Sequence, residues 1–239
     1  MTNPLAGTSA IVTGASRGIG EAVARSLAAA GARVALVARR REPLEKLARE
    51  LGAGAFAAPC DLTNADAVRA AAASIVRTLG VPPQILVNNA GSFRVGAVQE
   101  LAAEDFRTML DLNLFAPYLF VREFLPAMLA ARRGHIVSIG SVADRSAFSG
   151  NSGYSASKFG ARALHEVLRV ETKGTGVRAT LISPSTTDTS IWDGLAPEKR
   201  ARFPKATDML RADDVANAVL FAVTQPPTVN VDELRLTRA

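Results

Sequence analysis

Ser9-Ala10-Ile11-Val12-Thr13-Gly14-Ala15-Ser16-Arg17-Gly18-Ile19-Gly20 is the stretch on which the reading of this chain turns. A short apolar run ends in a glycine turn, and the turn passes directly into an alanine-rich helical stretch from Gly18 to Ala30. Glycines let the main chain approach a bulky anion closely, and the free N–H groups at a helix start face that anion with partial positive charge. The spacing G-x-x-x-G-x-G differs from the G-x-G-x-x-G fingerprint of other dinucleotide folds. Glycines also make ordinary turns. Here the turn stands between a predicted strand and a predicted helix, which favours a pyrophosphate cradle, and a nicotinamide held there would bring redox chemistry with it.

Outward from this point the chain alternates between short apolar runs and longer helical patterns. Strands are expected at Ser9–Thr13, Arg33–Ala38, Ala55–Ala58, Ile85–Asn88, His135–Ile139, Arg178–Ile182 and, more weakly, near Asp232–Leu236. Helices are expected at Gly18–Ala30, Pro43–Leu51, Asp66–Leu79, Ala103–Ala131, Tyr154–Thr172 and Asp213–Thr224. Pro43 suits a first helical turn, and Thr63 or Asn64 can cap the third helix. Pro117 and Pro126 lie inside the longest helical stretch, so two pieces are expected there. The rhythm predicts an α/β fold: a Rossmann-type, doubly wound parallel sheet of about seven strands with helices on both faces. Continuous apolar strands such as Val34-Ala35-Leu36-Val37 fit a sheet buried on both sides. Ligands of such sheets sit at the carboxyl ends of the strands, and every polar motif below falls at one of those ends.

Composition narrows the classes. With 239 residues, 48% of them hydrophobic, and no linker, repeat or low-complexity tract, the expectation is a single domain spanning residues 1–239. The one cysteine, Cys60, cannot form an internal disulfide and reads as a buried thiol near a strand end. His135 and His165 stand without acidic or thiolate company at ligand spacing, so no metal site is expected. Met1 to Thr8 holds no apolar leader core and no uncharged run is long enough to span a bilayer; a cytoplasmic protein without membrane contact follows. The net charge of +6 comes from separate groups: Arg39-Arg40-Arg41, Arg132-Arg133, and Lys199, Arg200, Arg202 and Lys205. Aromatic residues, 5% of the chain, do not interleave with them, so nucleic acid is not an expected partner.

The second strand runs into Arg39-Arg40-Arg41, and no carboxylate appears before Glu42. In this architecture an acidic residue there receives a ribose 2′-hydroxyl, whereas an arginine accommodates a 2′-phosphate. Arg39, with Arg17 approaching from the glycine turn, therefore predicts NADP(H) over NAD(H); Arg41 reads as a solvated loop residue. Asp61 either caps the next helix or accepts from the adenine amino group. Asn88-Asn89-Ala90-Gly91 closes the fourth strand: the amides can tie strand ends together, and Ala90 and Gly91 leave room for a ribose.

Near the head of a helix stands Tyr154-Ser155-Ala156-Ser157-Lys158, whose four-residue spacing puts tyrosine and lysine on one face. Ser141 lies thirteen residues upstream, just past a strand, and Asn113 comes from the long helical stretch. Together with the glycine turn, these residues resemble the short-chain dehydrogenase/reductase family, in the right order along almost the whole chain. The resemblance implies hydride transfer between a nicotinamide and a carbonyl or alcohol carbon. In it Tyr154 is the general acid or base and Lys158 lowers its pKa and holds the nicotinamide ribose. Ser141 orients the carbonyl oxygen, and Asn113 holds a water that links Lys158 to solvent. The cofactor site it implies comprises Gly14, Ser16, Arg17, Gly18, Ile19, Gly20, Arg39, Asp61, Leu62, Asn88, Ala90, Gly91, Tyr154, Lys158, Pro184, Thr187 and Thr189.

The chain departs from the family where Pro-Gly commonly follows the sixth strand: here it reads Pro184-Ser185-Thr186-Thr187-Asp188-Thr189. By position Thr187 lies beside the nicotinamide carboxamide and Thr189 opens a mobile substrate lid of about residues 185–210, with Trp192 a substrate contact or a hinge anchor. Asp144 stands where glycine is frequent; it borders the substrate pocket or faces solvent. The C-terminus lacks the glycine-rich ending of the family's acyl-carrier-protein reductases and looks more like the branch acting on hydroxy acids, small alcohols or diverse carbonyls. A carbonyl reductase is the expected activity, a non-catalytic NADP(H)-binding sensor or scaffold the alternative. A homodimer or homotetramer through the two long helices is the expected assembly.

Overall fold

The computed structural model describes residues 3–52, 54–201 and 203–239, and of residue 199 the main chain only. Arg202 and the Lys199 side chain, part of the third basic group, lie outside the described residues. The first half runs β1 (Ser9–Thr13), α1 (Gly18–Ala29), β2 (Arg33–Ala38), α2 (Arg41–Leu51), β3 (Phe56–Pro59), α3 (Ala65–Leu79), β4 (Ile85–Asn88) and α4 (Ala103–Leu110). It continues with α5 (Ala116–Ala130), β5 (Gly134–Ile139), α6 (Ser152–Thr172), β6 (Val177–Pro184), β7 (Thr187–Asp188), α7 (Pro197–Arg200), β8 (Leu210–Arg211), α8 (Ala212–Val223) and β9 (Glu233–Leu236).

Seven strands form one sheet in the order β3-β2-β1-β4-β5-β6-β9, every pair parallel. The doubly wound parallel sheet predicted from the alternation is thus the fold. Strand side chains alternate between two cores: Ala10 and Val12 of β1 face the core shared with α1, α2 and α8, while Ile11 faces the one shared with α3 and α5. Burial on both faces is why these strands are apolar throughout rather than alternating. The order in which successive strands are added reverses between β1 and β4, and the crevice above that switch point is where such sheets bind ligands.

Local chemistry sets the helix ends. Asn64 caps α3, its side chain accepting from the N–H groups of Asp66 (2.9 Å) and Ala67 (3.0 Å), and Gly80 closes that helix at φ 74°. The long helical stretch does not break into the two pieces expected from its prolines but runs continuously from Ala103 to Ala130. Asp111–Phe115 forms a π-helical turn between α4 and α5. Pro117 directly follows this π-helical turn, and Pro126 lies inside α5. The paired β7 and β8 form a separate two-stranded ladder that ties together the two ends of the intervening segment.

Candidate active site

The glycine turn owes its shape to close main-chain contacts. A Cβ on Gly20 would stand 2.2 Å from the Gly14 carbonyl oxygen, and one on Gly14 would stand 2.8 Å from the Ala90 Cα, so neither position has room for a side chain. Gly14 and Gly18 also take positive φ, 68° and 57°. Asn89 fastens the turn to the end of β4, donating to the Thr13 carbonyl at 2.9 Å, while the Thr13 hydroxyl receives the N–H groups of Asn89 and Ala90. Helix α1 starts without a side-chain cap, which leaves its first N–H groups to an outside acceptor.

A cleft of about 1130 Å³ runs from this turn to the tyrosine. Of the predicted cofactor residues, Gly14, Ser16, Arg17, Gly18, Ile19, Arg39, Leu62, Ala90, Gly91, Tyr154, Lys158, Pro184, Thr187 and Thr189 line it. So does Arg40, which sequence reasoning did not assign, and no carboxylate stands among the described lining residues. Three predicted residues lie elsewhere. Gly20 packs beneath the turn. Asp61 turns back on its own loop, its carboxylate accepting from the Thr63 N–H (3.1 Å) and hydroxyl (2.8 Å), bonds that hold its pKa below the usual carboxylate range. Asn88 is buried below the cleft. Arg17 reaches the segment after β7, donating to the Ser190 carbonyl at 3.3 Å.

The four predicted catalytic residues, Asn113, Ser141, Tyr154 and Lys158, all line the same cleft. Lys158 is buried and donates from Nζ to the Ile139 carbonyl at 2.8 Å; burial brings its pKa down to about 8. Its Nζ lies 5.8 Å from the centre of the Tyr154 ring. Burial pushes the Tyr154 pKa up, the Ser141 hydroxyl pulls it down and the Asp144 charge raises it further. In the protein alone the phenol therefore keeps its proton at neutral pH. Asn113 is a brace: its Oδ1 accepts from Ser92 N–H (2.8 Å), and its Nδ2 donates to the Ser92 carbonyl (3.0 Å) and the Ser157 hydroxyl (2.9 Å). With both amide donors used inside the protein, its side chain has no free N–H for a water.

Asp144 corrects both expectations held for it. It is 1% exposed and does not line the cleft. Oδ2 accepts from the Ser183 hydroxyl (2.5 Å) and the Ser141 N–H (3.2 Å), and Oδ1 from Arg145 Nε (2.9 Å). Arg145 and Arg162 both reach Glu233 of β9, so a buried ion network joins the Ser141 turn to the last strand. Ser185, in place of the common glycine, is accommodated without positive φ, and its N–H donates to the Leu236 carbonyl at 2.8 Å. Trp192 lines the cleft, and its Nε1–H donates to the Thr187 carbonyl at 2.8 Å.

Sequence reasoning missed two groups. Phe93 and Phe148 line the cleft; Phe93 follows Gly91 by two residues, so reading two positions further past the strand end would have reached it. His165 lies seven residues after Lys158, on the same face of α6. With Asn88, Asn113, Ser138 and Lys158 it lines an internal cavity of about 20 Å³, enough for one water. The buried Asn88 amide and His165 Nε2 have no partner among the described residues.

With this geometry in place, similarity to known proteins is specific. Residues 8–200 match the family model described as short chain dehydrogenase. The chain belongs to that family of oxidoreductases. It is 34% identical to an uncharacterized oxidoreductase of Staphylococcus aureus over 226 residues, 94% of either chain. It is 37% identical over 238 residues to a glycine betaine reductase of Emericella nidulans, covering 97% of this chain but only 19% of that larger protein. Among solved structures it resembles a metagenomic short-chain oxidoreductase in complex with NADP (34% identity, TM-score 0.85, 99% of each chain). It also resembles an alcohol dehydrogenase of Thermococcus sibiricus complexed with 5-hydroxy-NADP (31% identity, TM-score 0.88, 97% of each chain).

Proposed function

We propose that the protein is an NADP(H)-dependent oxidoreductase that interconverts a carbonyl compound and its alcohol, with Tyr154 as general acid and base. The observation that carries the reading is the meeting of Tyr154, Lys158 and Ser141 in one cleft whose other end holds Arg17, Arg39 and Arg40 and no described carboxylate. The uncapped start of α1 and the side-chain-free contacts at Gly14 and Gly20 fit a pyrophosphate, and the arginines fit a 2′-phosphate. Two solved relatives at 31% and 34% identity carry NADP or a derivative of it. The bound nicotinamide supplies or accepts the hydride.

The chain's own residues do the rest. Ser141 holds the carbonyl oxygen, polarising it. Tyr154 gives that oxygen its proton, and burial, by raising the phenol pKa, keeps the proton in place at neutral pH until it is needed. Lys158, with a pKa of about 8, remains an ammonium at pH 7 and returns a proton to the phenol. A water in the small cavity shared by Lys158, Asn88 and His165 would supply it, with Asn113 shaping the cavity rather than donating. The chain works as one unit, with about residues 185–210 as the lid. It pairs with copies of itself through the exposed apolar residues Phe115 and Tyr118 near the start of α5 and Phe159 and Val170 on α6. A binding-only sensor has no use for the assembled quartet.

Tyr154→Phe decides between the two. Carbonyl-dependent NADPH oxidation should fall at least about 10³-fold, while NADPH affinity, read by fluorescence titration, stays within about threefold. Comparable turnover in the variant would refute the acid–base role.

A further inference from the structure

We infer that the substrate end of the cleft is built for an uncharged carbonyl compound with an aromatic ring beside the carbonyl, that is, an aryl ketone or aryl aldehyde. The inference rests on the reductase reading above and names its substrate class. Phe93, 4% exposed, stands edge-on to three other rings: Tyr154 at 4.8 Å, Trp192 at 5.3 Å and Phe203 at 5.7 Å between centroids. Trp192 and Phe203 meet at 4.9 Å. These rings line the cleft, with the half-exposed ring of Phe148 among the lining as well. The array begins at the proposed proton donor, so a substrate ring lying among these rings brings its carbonyl to the phenol. Edge-to-face and offset contacts reward an aromatic ring over an alkyl chain of similar size.

Charge points the same way. The charged side chains among the described lining residues are Arg17, Arg39 and Arg40, at the glycine-turn end, and Lys158, which is spent on the Ile139 carbonyl. At the ring end an ionised substrate carboxylate finds no cation among the described lining residues, and the guanidinium nearby, that of Arg200, is already engaged by the Pro204 carbonyl and the Trp192 ring. A cation fares no better. No acidic side chain lines the cleft, and Arg200 already holds its guanidinium 5.5 Å from the centre of the Trp192 ring. Arg200 is itself tied to the Pro204 carbonyl at 2.8 Å. A quaternary ammonium aldehyde, suggested by the glycine betaine reductase relative, would meet rings but also this fixed positive charge.

Because Trp192 is the only tryptophan, its fluorescence reports occupancy without turnover. The NADP⁺-loaded protein is titrated with acetophenone, butanone, phenylglyoxylate and betaine aldehyde, with Trp192→Phe as the blank, and the same compounds are assayed for NADPH oxidation. Acetophenone should quench saturably, with butanone at least about tenfold weaker and phenylglyoxylate at least about a hundredfold weaker. Phe203→Ala and Phe93→Leu should each lower the acetophenone-to-butanone ratio of kcat/KM about tenfold. A preference for butanone, phenylglyoxylate or betaine aldehyde, or a ratio unmoved in both variants, overturns the aryl site even if NADPH is consumed. Quenching by acetophenone without NADPH oxidation by any carbonyl supports the aryl site while refuting the reductase reading.

Discussion

At the glycine-turn end of the cleft the turn is close-packed main chain: a Cβ added at Gly14 would overlap Ala90, and one added at Gly20, just beneath the cleft, would overlap the Gly14 carbonyl. At the other end the walls are rings, carried on the loop after β4, on α6 and on the segment between β7 and β8. The glycine contacts of the turn accept one ligand shape and fail as a whole, because no side chain can be added at Gly14 or Gly20, while the arginines around them set the charge of that end. Ring walls can be traded, and each exchange alters which substrate fits without altering the turn. One end therefore fixes what the protein binds as cofactor, and the other is where a specificity can be changed.

Gly20→Ala should show the larger sensitivity. Its new methyl would stand 2.2 Å from the Gly14 carbonyl oxygen and 2.5 Å from Asn89 Nδ2, both already bound into the turn. Overpacking of this kind costs about 1–3 kcal/mol or more. NADPH affinity should drop at least about a hundredfold or the fold should be lost, as read by NADPH titration and thermal melting. Wild-type affinity in Gly20→Ala would erase the contrast between the two ends.

Arg39→Asp tests the arginine-lined end by charge instead of shape. A guanidinium bonded to a phosphate contributes about 1.5–3 kcal/mol, and a carboxylate in its place also repels the phosphate. The kcat/KM ratio of NADPH to NADH should fall about a hundredfold. An unchanged ratio would leave Arg40 or Arg17 as the phosphate ligand.

Beneath the substrate end lie the two histidines, and acid should expose them. His135 and His165 are buried neutral, with pKa values brought down to about 3 and about 4 by burial and nearby arginines. The unfolded chain takes up those protons near pH 6.5, so between pH 6.5 and about 4 it binds more protons than the folded one. Stability is full above 6.5 and falls with pH through that window, by about 1.4 kcal/mol per pH unit for each histidine. Urea midpoints at pH 6.5, 5.5 and 5.0, above the usual carboxylate range, read the slope; His165→Gln should roughly halve it. A slope unaltered by that substitution would mean that other groups carry the acid sensitivity.

How much of this could be read from the sequence follows the same division. The glycine turn, the strand order of motifs and the Tyr154–Lys158 pair were legible because they depend on spacing along one element. Arg40 and Phe93 lie within two residues of motifs that were read, and needed only a longer reach. Asn113 lies in the cleft, but its bracing role could not be read along the chain, since its three bonds to Ser92 and Ser157 join residues 21 and 44 positions away. Asp144 was the least legible. Its partner Ser183, and Glu233 that it reaches through Arg145, lie on strands far along the chain, and only the sheet order brings them together.

Asp144 also supplies the finest test, because it couples the ring end to the sheet without touching the cleft. Its buried carboxylate raises the Tyr154 pKa and opposes the lowering of Lys158 by burial. Around it stand Arg145 on its own turn, Arg162 of α6, Ser183 of β6 and, through Arg145, Glu233 of β9. Asp144→Asn keeps the shape and removes the charge, so the phenolate forms more readily. On the proposed mechanism alcohol oxidation uses the phenolate as base and rises with pH; in the variant that rise should move to lower pH. On the rising limb the rate should gain roughly twofold. If Asp144 only braced the Ser141 turn, the variant would lose rate equally at every pH and the profile would not move. A displaced profile means that a carboxylate outside the cleft tunes the tyrosine, and that specificity and proton supply can be adjusted separately at the same end of the molecule.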